Sequence, residues 1–139
     1  MQLFVLNADP TVGADVHFLN TGVPHAVAFL DKLEDLDISR MGAYLRYHEA
    51  FSPKGTNANF ARILSPGHIA IRTYERGVED ETLACGTGMT ACALLHAVLA
   101  DAPSPIQVDV KRLNTANQVS ASRDIIVRIF NTKAKQRLM

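Results

Sequence analysis

The chain is short of cysteine, of net charge and of long apolar runs, and each shortage removes a class of function. It has two cysteines, Cys85 and Cys92, too few for a disulfide framework. On one helix they would stand roughly 10 Å apart along the axis, beyond disulfide reach. Reduced thiols in a cytoplasmic protein are therefore expected. Lys plus Arg and Asp plus Glu each number 14, so formal net charge is zero. Without a basic stripe there is no electrostatic reason to propose a nucleic-acid partner. No apolar stretch approaches the roughly 20 residues that span a bilayer, and the opening residues lack the basic flank and apolar region of a signal peptide, so no membrane partner is expected. His17, His48 and His68 show no ligand spacing with a Cys or carboxylate partner, so no metal site is expected. There is no internal repeat or low-complexity tract.

What is present reads as one domain. The 139 residues are 47% apolar, long enough to bury a core. Strands are expected at 2–6, 15–20, 25–30, 57–64, 68–75, 106–111 and 125–130, with turns at 21–24 and 66–67. In the second strand Val16 and Phe18 oppose His17 and Leu19. In 68–75, Ile69, Ile71 and Thr73 face one way while Ala70, Arg72 and Tyr74 face the other. Residues 36–48 form an amphipathic helix with Ile38, Met41 and Leu45 at helical spacing and Asp37 as N-cap. Residues 79–81, Glu-Asp-Glu, read as a solvated loop, and the basic tail at 133–139 as frayed.

One stretch differs in kind. From Thr87 to Ala100 only Thr90 and His96 interrupt an apolar run, so this helix is buried on every side. Cys92 and His96 belong to its interior. A sheet curled about one central helix accounts for that better than a helix lying on an open sheet. Cys85 stands where the helix begins, and a helix N-terminus carries unpaired N–H groups and partial positive charge. Both favour a thiolate and both can grip a carboxylate. Cys85 is thereby a candidate for proton transfer or nucleophilic attack.

Four pieces carry a family resemblance, in order along the chain: Gly22-Val-Pro-His25, the run Leu33-Glu-Asp-Leu-Asp37, Lys54-Gly-Thr-Asn57, and the block from Glu75-Arg-Gly-Val through Glu-Thr-Leu-Ala-Cys-Gly-Thr-Gly88. Together they resemble the C-terminal half of the diaminopimelate epimerase family, most clearly over 15–111. The resemblance implies an α+β fold for a single domain spanning 1–139: a strongly curved, mostly antiparallel sheet wrapped around a central apolar helix at about 86–100. It implies an isomerase of lysine and cell-wall precursor synthesis that interconverts L,L- and meso-diaminopimelate without pyridoxal phosphate, other cofactor or metal. A cysteine thiolate removes the α-proton from one face and a second cysteine protonates the other. That chemistry suits two groups whose pKa values lie near neutrality.

On this resemblance Cys85 is catalytic, and the amides of Gly86 and Thr87 hold the substrate α-carboxylate. Glu75 and Arg76 handle the amino-acid head group, Asn57 bonds the polar end of the substrate, and His25 sits near the cysteine. From the residues alone, Asn57 could equally stabilise the Gly55-Thr56 turn, His25 could be a structural histidine, and Glu75-Arg76 a surface ion pair. Three departures stand out. The N-terminal half with its own cysteine is absent, so the expected partner is that missing half or a second copy in a homodimer. Val23 replaces the family's usual Asn, and the acidic loop 77–82 is one residue longer. Residues 112–139 diverge. The alternative is a catalytically incomplete carboxylate-binding or assembly domain that pairs with a full-length or N-terminal partner. A proline-racemase-like or phenazine-pathway isomerase fits the Cys85 block less well.

Overall fold

The computed structural model describes residues 2–20, 22–83, 86–113 and 119–127. Eight strands form one sheet in the order β1-β2-β3-β4-β5-β7-β8, with β6 added on β5. They are β1 (Gln2–Asp9), β2 (Ala14–Asn20), β3 (Pro24–Phe29), β4 (Asn57–Ser65), β5 (His68–Glu75), β6 (Asp80–Thr82), β7 (Ile106–Leu113) and β8 (Val119–Val127). Two helices, α1 (Ile38–Arg46) and α2 (Gly86–Leu99), complete the α+β architecture. Five strand pairings are antiparallel; β3–β4 and β5–β7 are parallel. A parallel pair needs a crossover. The first crossover contains α1 and the second contains α2.

Strand alternation sends successive side chains to opposite faces, and each face here has its own core. Leu19, Val27, Ala61, Ile69 and Ile71 pack with Met89, Cys92 and Leu95 of α2. Val16, Phe18, Ala26, Ala28, Ala58, Phe60, Ala70 and Tyr74 pack with Ile38 and Leu45 of α1. The facing expected for β2 and β5 is the one observed. Within α2 every residue from Ala91 to Ala97 is buried, and the helix touches β3, β4, β5, β7 and β8. The Cys92 thiol has no exposed surface, and burial pushes its pKa up to about 12.

α1 has the expected N-cap but spans 38–46 rather than 36–48, because the Asp37 carboxylate accepts the Arg40 amide at 3.3 Å and so fixes the first turn after residue 37. It lies against β5 through Gly42, where a Cβ would fall inside the Tyr74 side chain. The last hairpin needs a correction. Its second strand begins at Val119, not at residue 125, because β8 pairs with β7 from Leu113↔Val119 to Ile106↔Val127. Residues 128–130 of the expected strand and the basic tail lie outside the described residues.

The acidic loop needs a larger correction. Residues 80–82 form β6 on the edge of β5, with Glu81 opposite Tyr74. Glu81 is 5% exposed and its partner Arg72 is 3% exposed. The guanidinium donates Nε to Oε2 at 2.8 Å and Nη2 to Oε1 at 2.9 Å. Nη1 donates to the Leu33 carbonyl at 2.6 Å and the Leu36 carbonyl at 3.2 Å. An arginine on the α1 face of a buried strand must have its charge matched, and Glu81 supplies the match. In this turn Gly77, Val78 and Asp80 are exposed and Glu79 is half-buried. Glu79 is engaged too, with Arg46 at 2.8 Å and with the Tyr47 hydroxyl. These donors hold its carboxyl at about 2.

Candidate active site

The strand directions build the site. Because β3 and β4 are parallel, their starting residues lie side by side, His25 next to Asn57 and Val27 next to Asn59. Because β5 runs against β4, its final residues reach the same end, with Thr73 opposite Asn59. Alternation then aims His25, Asn59 and Thr73 at the face carrying the first turn of α2. The result is a cleft of about 270 Å³ lined by Val23, His25, Asn57, Thr73, Glu75, Arg76, Thr87 and Gly88.

A chain of hydrogen bonds crosses the cleft floor. The Thr73 hydroxyl donates to Asn59 Oδ1 at 2.9 Å. Asn59 Nδ2 lies 3.1 Å from the Ala26 carbonyl and 3.1 Å from His25 Nδ1. His25 Nε2 lies 2.9 Å from Thr87 Oγ1. Asn59 is fully buried, and His25 and Thr73 nearly so. Gly88 permits this close approach, since a Cβ there would stand 3.2 Å from Asn59 Oδ1 and 3.3 Å from His25 Cε1. Burial, and then the positive charge of Arg76, push the His25 pKa down to about 4. At neutral pH the ring is therefore uncharged and supplies no cation to the site.

Asn57 acts as a staple at the rim. Its Nδ2 donates to the Pro24 carbonyl at 3.0 Å, and its Oδ1 accepts the Arg76 amide at 2.8 Å. Its side chain thus ties the entry of β3 to the exit of β5, while its backbone carbonyl accepts the Thr56 hydroxyl of the preceding turn at 2.8 Å. The Arg76 guanidinium rests on the Lys54 carbonyl at 3.3 Å. At the far side α2 begins with Gly86, whose carbonyl accepts the Thr90 hydroxyl at 2.7 Å. Gly86 is exposed and does not line the cleft itself. Cys85, the residue before it in sequence, lies outside the described residues.

Of the residues singled out from sequence, the structure gathers His25, Asn57, Glu75, Arg76 and Thr87 on one cleft. It adds Thr73 and Gly88 to the lining, with Asn59 buried behind His25 and Thr73. The alternation Asn57-Ala-Asn59 at the start of an apolar strand was the available signal, since two amides on one face of a buried strand need partners. Among the described residues no group of three or more His, Cys, Asp or Glu side chains could hold a metal ion. No helix among them is long and apolar enough to cross a membrane.

The family model described as diaminopimelate epimerase matches residues 17–125. The chain belongs to the diaminopimelate epimerase family. A diaminopimelate epimerase of Hydrogenobaculum sp. (strain Y04AAS1) is 59% identical over 80 residues, 56% of this chain and 29% of that relative. One of Chlorobaculum tepidum is 48% identical over 96 residues, covering 68% and 37%. One of Chlamydia trachomatis serovar L2 is 39% identical over 126 residues, covering 91% and 42%. The chain thus spans well under half the length of these diaminopimelate epimerase relatives.

Proposed function

We propose that the chain is a single domain carrying the Cys85 half of a cofactor-independent diaminopimelate epimerase, acting in lysine and cell-wall precursor synthesis in a cytoplasm of bacterial type. The observation that carries this reading is the convergence of His25, Asn57, Glu75, Arg76 and Thr87 on one cleft at the start of α2. A curled sheet around α2 is part of the reading, supported by the burial of that helix on every side over residues 91–97.

The chemistry follows from the groups in hand. The N–H groups that open α2 carry no partner within the helix, and with Gly86 and Thr87 they receive the α-carboxylate of the substrate. Arg76 adds a planar, permanently charged donor set, while Glu75 and Asn57 meet the amino group and the polar end. Since His25 is neutral, the helix N-terminus and Arg76 supply the positive potential that lowers the Cys85 pKa. The thiolate takes the α-proton and becomes S–H. A thiol on the opposite face gives its own proton to the carbanion and is left as thiolate. No electron is gained or lost overall, and the reading invokes no cofactor or metal.

The second thiol cannot be Cys92, which is sealed inside α2. It comes from an N-terminal half or from a second copy of the chain. A binding or assembly role without turnover is the second reading, favoured by the burial of Cys92, which offers the cleft no second thiol.

The test is α-proton exchange from diaminopimelate into deuterium oxide under reducing conditions. The chain is assayed alone over a range of concentrations, and again with the N-terminal remainder of a full-length relative. Exchange that requires the second half and disappears in Cys85→Ala is expected. Exchange by the chain alone that rises with the square of concentration points to the homodimer. Calorimetric binding of diaminopimelate without exchange in either arm favours the second reading, and neither binding nor exchange overturns both.

A further inference from the structure

We propose that Asn59 is a positioning residue for this cleft: it fixes the tautomer of His25 and so decides which proton Thr87 can offer a ligand. The inference rests on the epimerase reading for its catalytic meaning, and on geometry alone for the tautomer.

The orientation of the Asn59 amide is determined by its neighbours. The Ala26 carbonyl can only accept, so the amide atom 3.1 Å from it is the nitrogen. The other amide atom is then the oxygen, which receives the Thr73 hydroxyl at 2.9 Å. The second Nδ2 hydrogen is directed at His25 Nδ1, 3.1 Å away. A ring nitrogen that accepts cannot carry a proton, so the neutral ring holds its hydrogen on Nε2. That hydrogen is donated to Thr87 Oγ1 at 2.9 Å. A hydroxyl that accepts from a histidine keeps its own hydrogen to donate. The Thr87 side chain lines the cleft, so it presents a donor where the carboxylate is held.

The opposite tautomer would set Nδ1–H against the amide N–H and leave a bare Nε2. Thr87 would then donate to the ring and turn an oxygen lone pair towards the incoming carboxylate. Asn59 touches no ligand and carries out no chemistry. Its effect on the cleft passes through His25 and Thr87. Full burial of Asn59, and a glycine at 88 where any Cβ would crowd both Asn59 and His25, hold the arrangement to one geometry.

The experiment is nitrogen NMR of the histidine rings in the full chain, without substrate, with the His25 signals assigned through His25→Gln among the five histidines of the sequence. The Nε2–H tautomer is expected for His25. In Asn59→Asp the carboxylate accepts from the ring, so the proton moves to Nδ1 and the His25 pKa rises. The paired α-proton exchange assay should fall on the order of tenfold to a hundredfold in this variant, with KM rising as Thr87 loses its donor role. An Nδ1–H ring in the unaltered chain overturns the proposal, and so does an unchanged tautomer in folded Asn59→Asp. If the variant does not fold, the spectrum of the unaltered chain decides by itself. The expected tautomer in a chain that never exchanges α-protons with any partner half removes the epimerase reading and leaves the Asn59–His25 assignment standing. Full exchange activity in a folded Asn59→Asp with an altered tautomer removes the positioning role alone.

Discussion

Replacing Glu81 with alanine should cost the protein about 3–5 kcal/mol, the range for breaking one side of a buried ion pair. Arg72 and Glu81 are almost completely sealed from solvent. Removing the carboxylate orphans Nε and Nη2 together, which now donate at 2.8 and 2.9 Å. Nη1 would still hold the Leu33 and Leu36 carbonyls, so the guanidinium cannot swing out to water without releasing those groups as well. Folded domains have net stabilities of about 5–15 kcal/mol, so the loss is a large fraction of the whole. The control is Glu34→Ala. That residue faces Arg62 at 3.7 Å with side chains 59% and 43% exposed, and surface pairs of this kind contribute about 0–1 kcal/mol. Urea unfolding followed by circular dichroism compares the two variants, and the midpoint should fall in Glu81→Ala with the slope unchanged. Removing both charges, as in Arg72→Met with Glu81→Leu, should recover part of the loss but not all. The Leu36 carbonyl would still be left without its donor, at about 1–3 kcal/mol, and the Leu33 carbonyl would keep only the Leu36 amide at 3.3 Å. If Glu81→Ala costs no more than Glu34→Ala, the pair is not buried as described and the reasoning fails.

Acid should destabilise the chain in a window that His25 helps to define. The ordinary histidine value is 6.5 and the folded value is about 4. Above 6.5 both folded and unfolded rings are neutral and contribute nothing. As pH falls from 6.5 towards about 4 the unfolded ring binds a proton that the folded one refuses, and stability drops by about 3 kcal/mol. His17 and His96 are also pushed down by burial, so the measurement is the difference in acid slope between the parent and His25→Gln; equal slopes refute the assignment. At Gly42, helix propensity favours alanine by about 1 kcal/mol, but the added Cβ would fall inside the Tyr74 side chain. Overpacking of about 1–3 kcal/mol should win, and a raised melting temperature for Gly42→Ala would contradict the close approach of α1 to β5. Thiol titration of the native chain at neutral pH should leave Cys92 unmodified until denaturant is added, since burial holds it at about 12; rapid native labelling of Cys92 would show that α2 is not sealed.

Much of the framework was legible because it depends on near neighbours in sequence. Period-two alternation marked β2 and β5 and assigned their faces. Asp37 announced the start of α1 through a cap that spans three residues. The nearly continuous apolar run of α2 declared a helix buried all round, which holds over 91–97 and not at its ends, where Gly86 and Leu99 are exposed, and it thereby declared the fate of Cys92. The site motifs His25, Asn57, Glu75, Arg76 and Thr87 are legible in the sequence, whereas the cleft that gathers them is not. Nor is the edge strand β6, because Glu-Asp-Glu reads as a solvated turn unless the buried arginine it answers is known.

Sequence alone therefore determined where chain segments become helix or strand, which of their faces are apolar, and which residue types could do chemistry at the start of α2. Tertiary structure decided how those segments meet: the two parallel joins, the pairing of Arg72 with Glu81, and the amide of Asn59 standing between Thr73 and His25. The physical reason is range. Propensity, capping and periodicity act over a few residues, whereas strand register and the matching of buried polar groups join positions tens of residues apart, and only the packed fold brings those partners within hydrogen-bond distance.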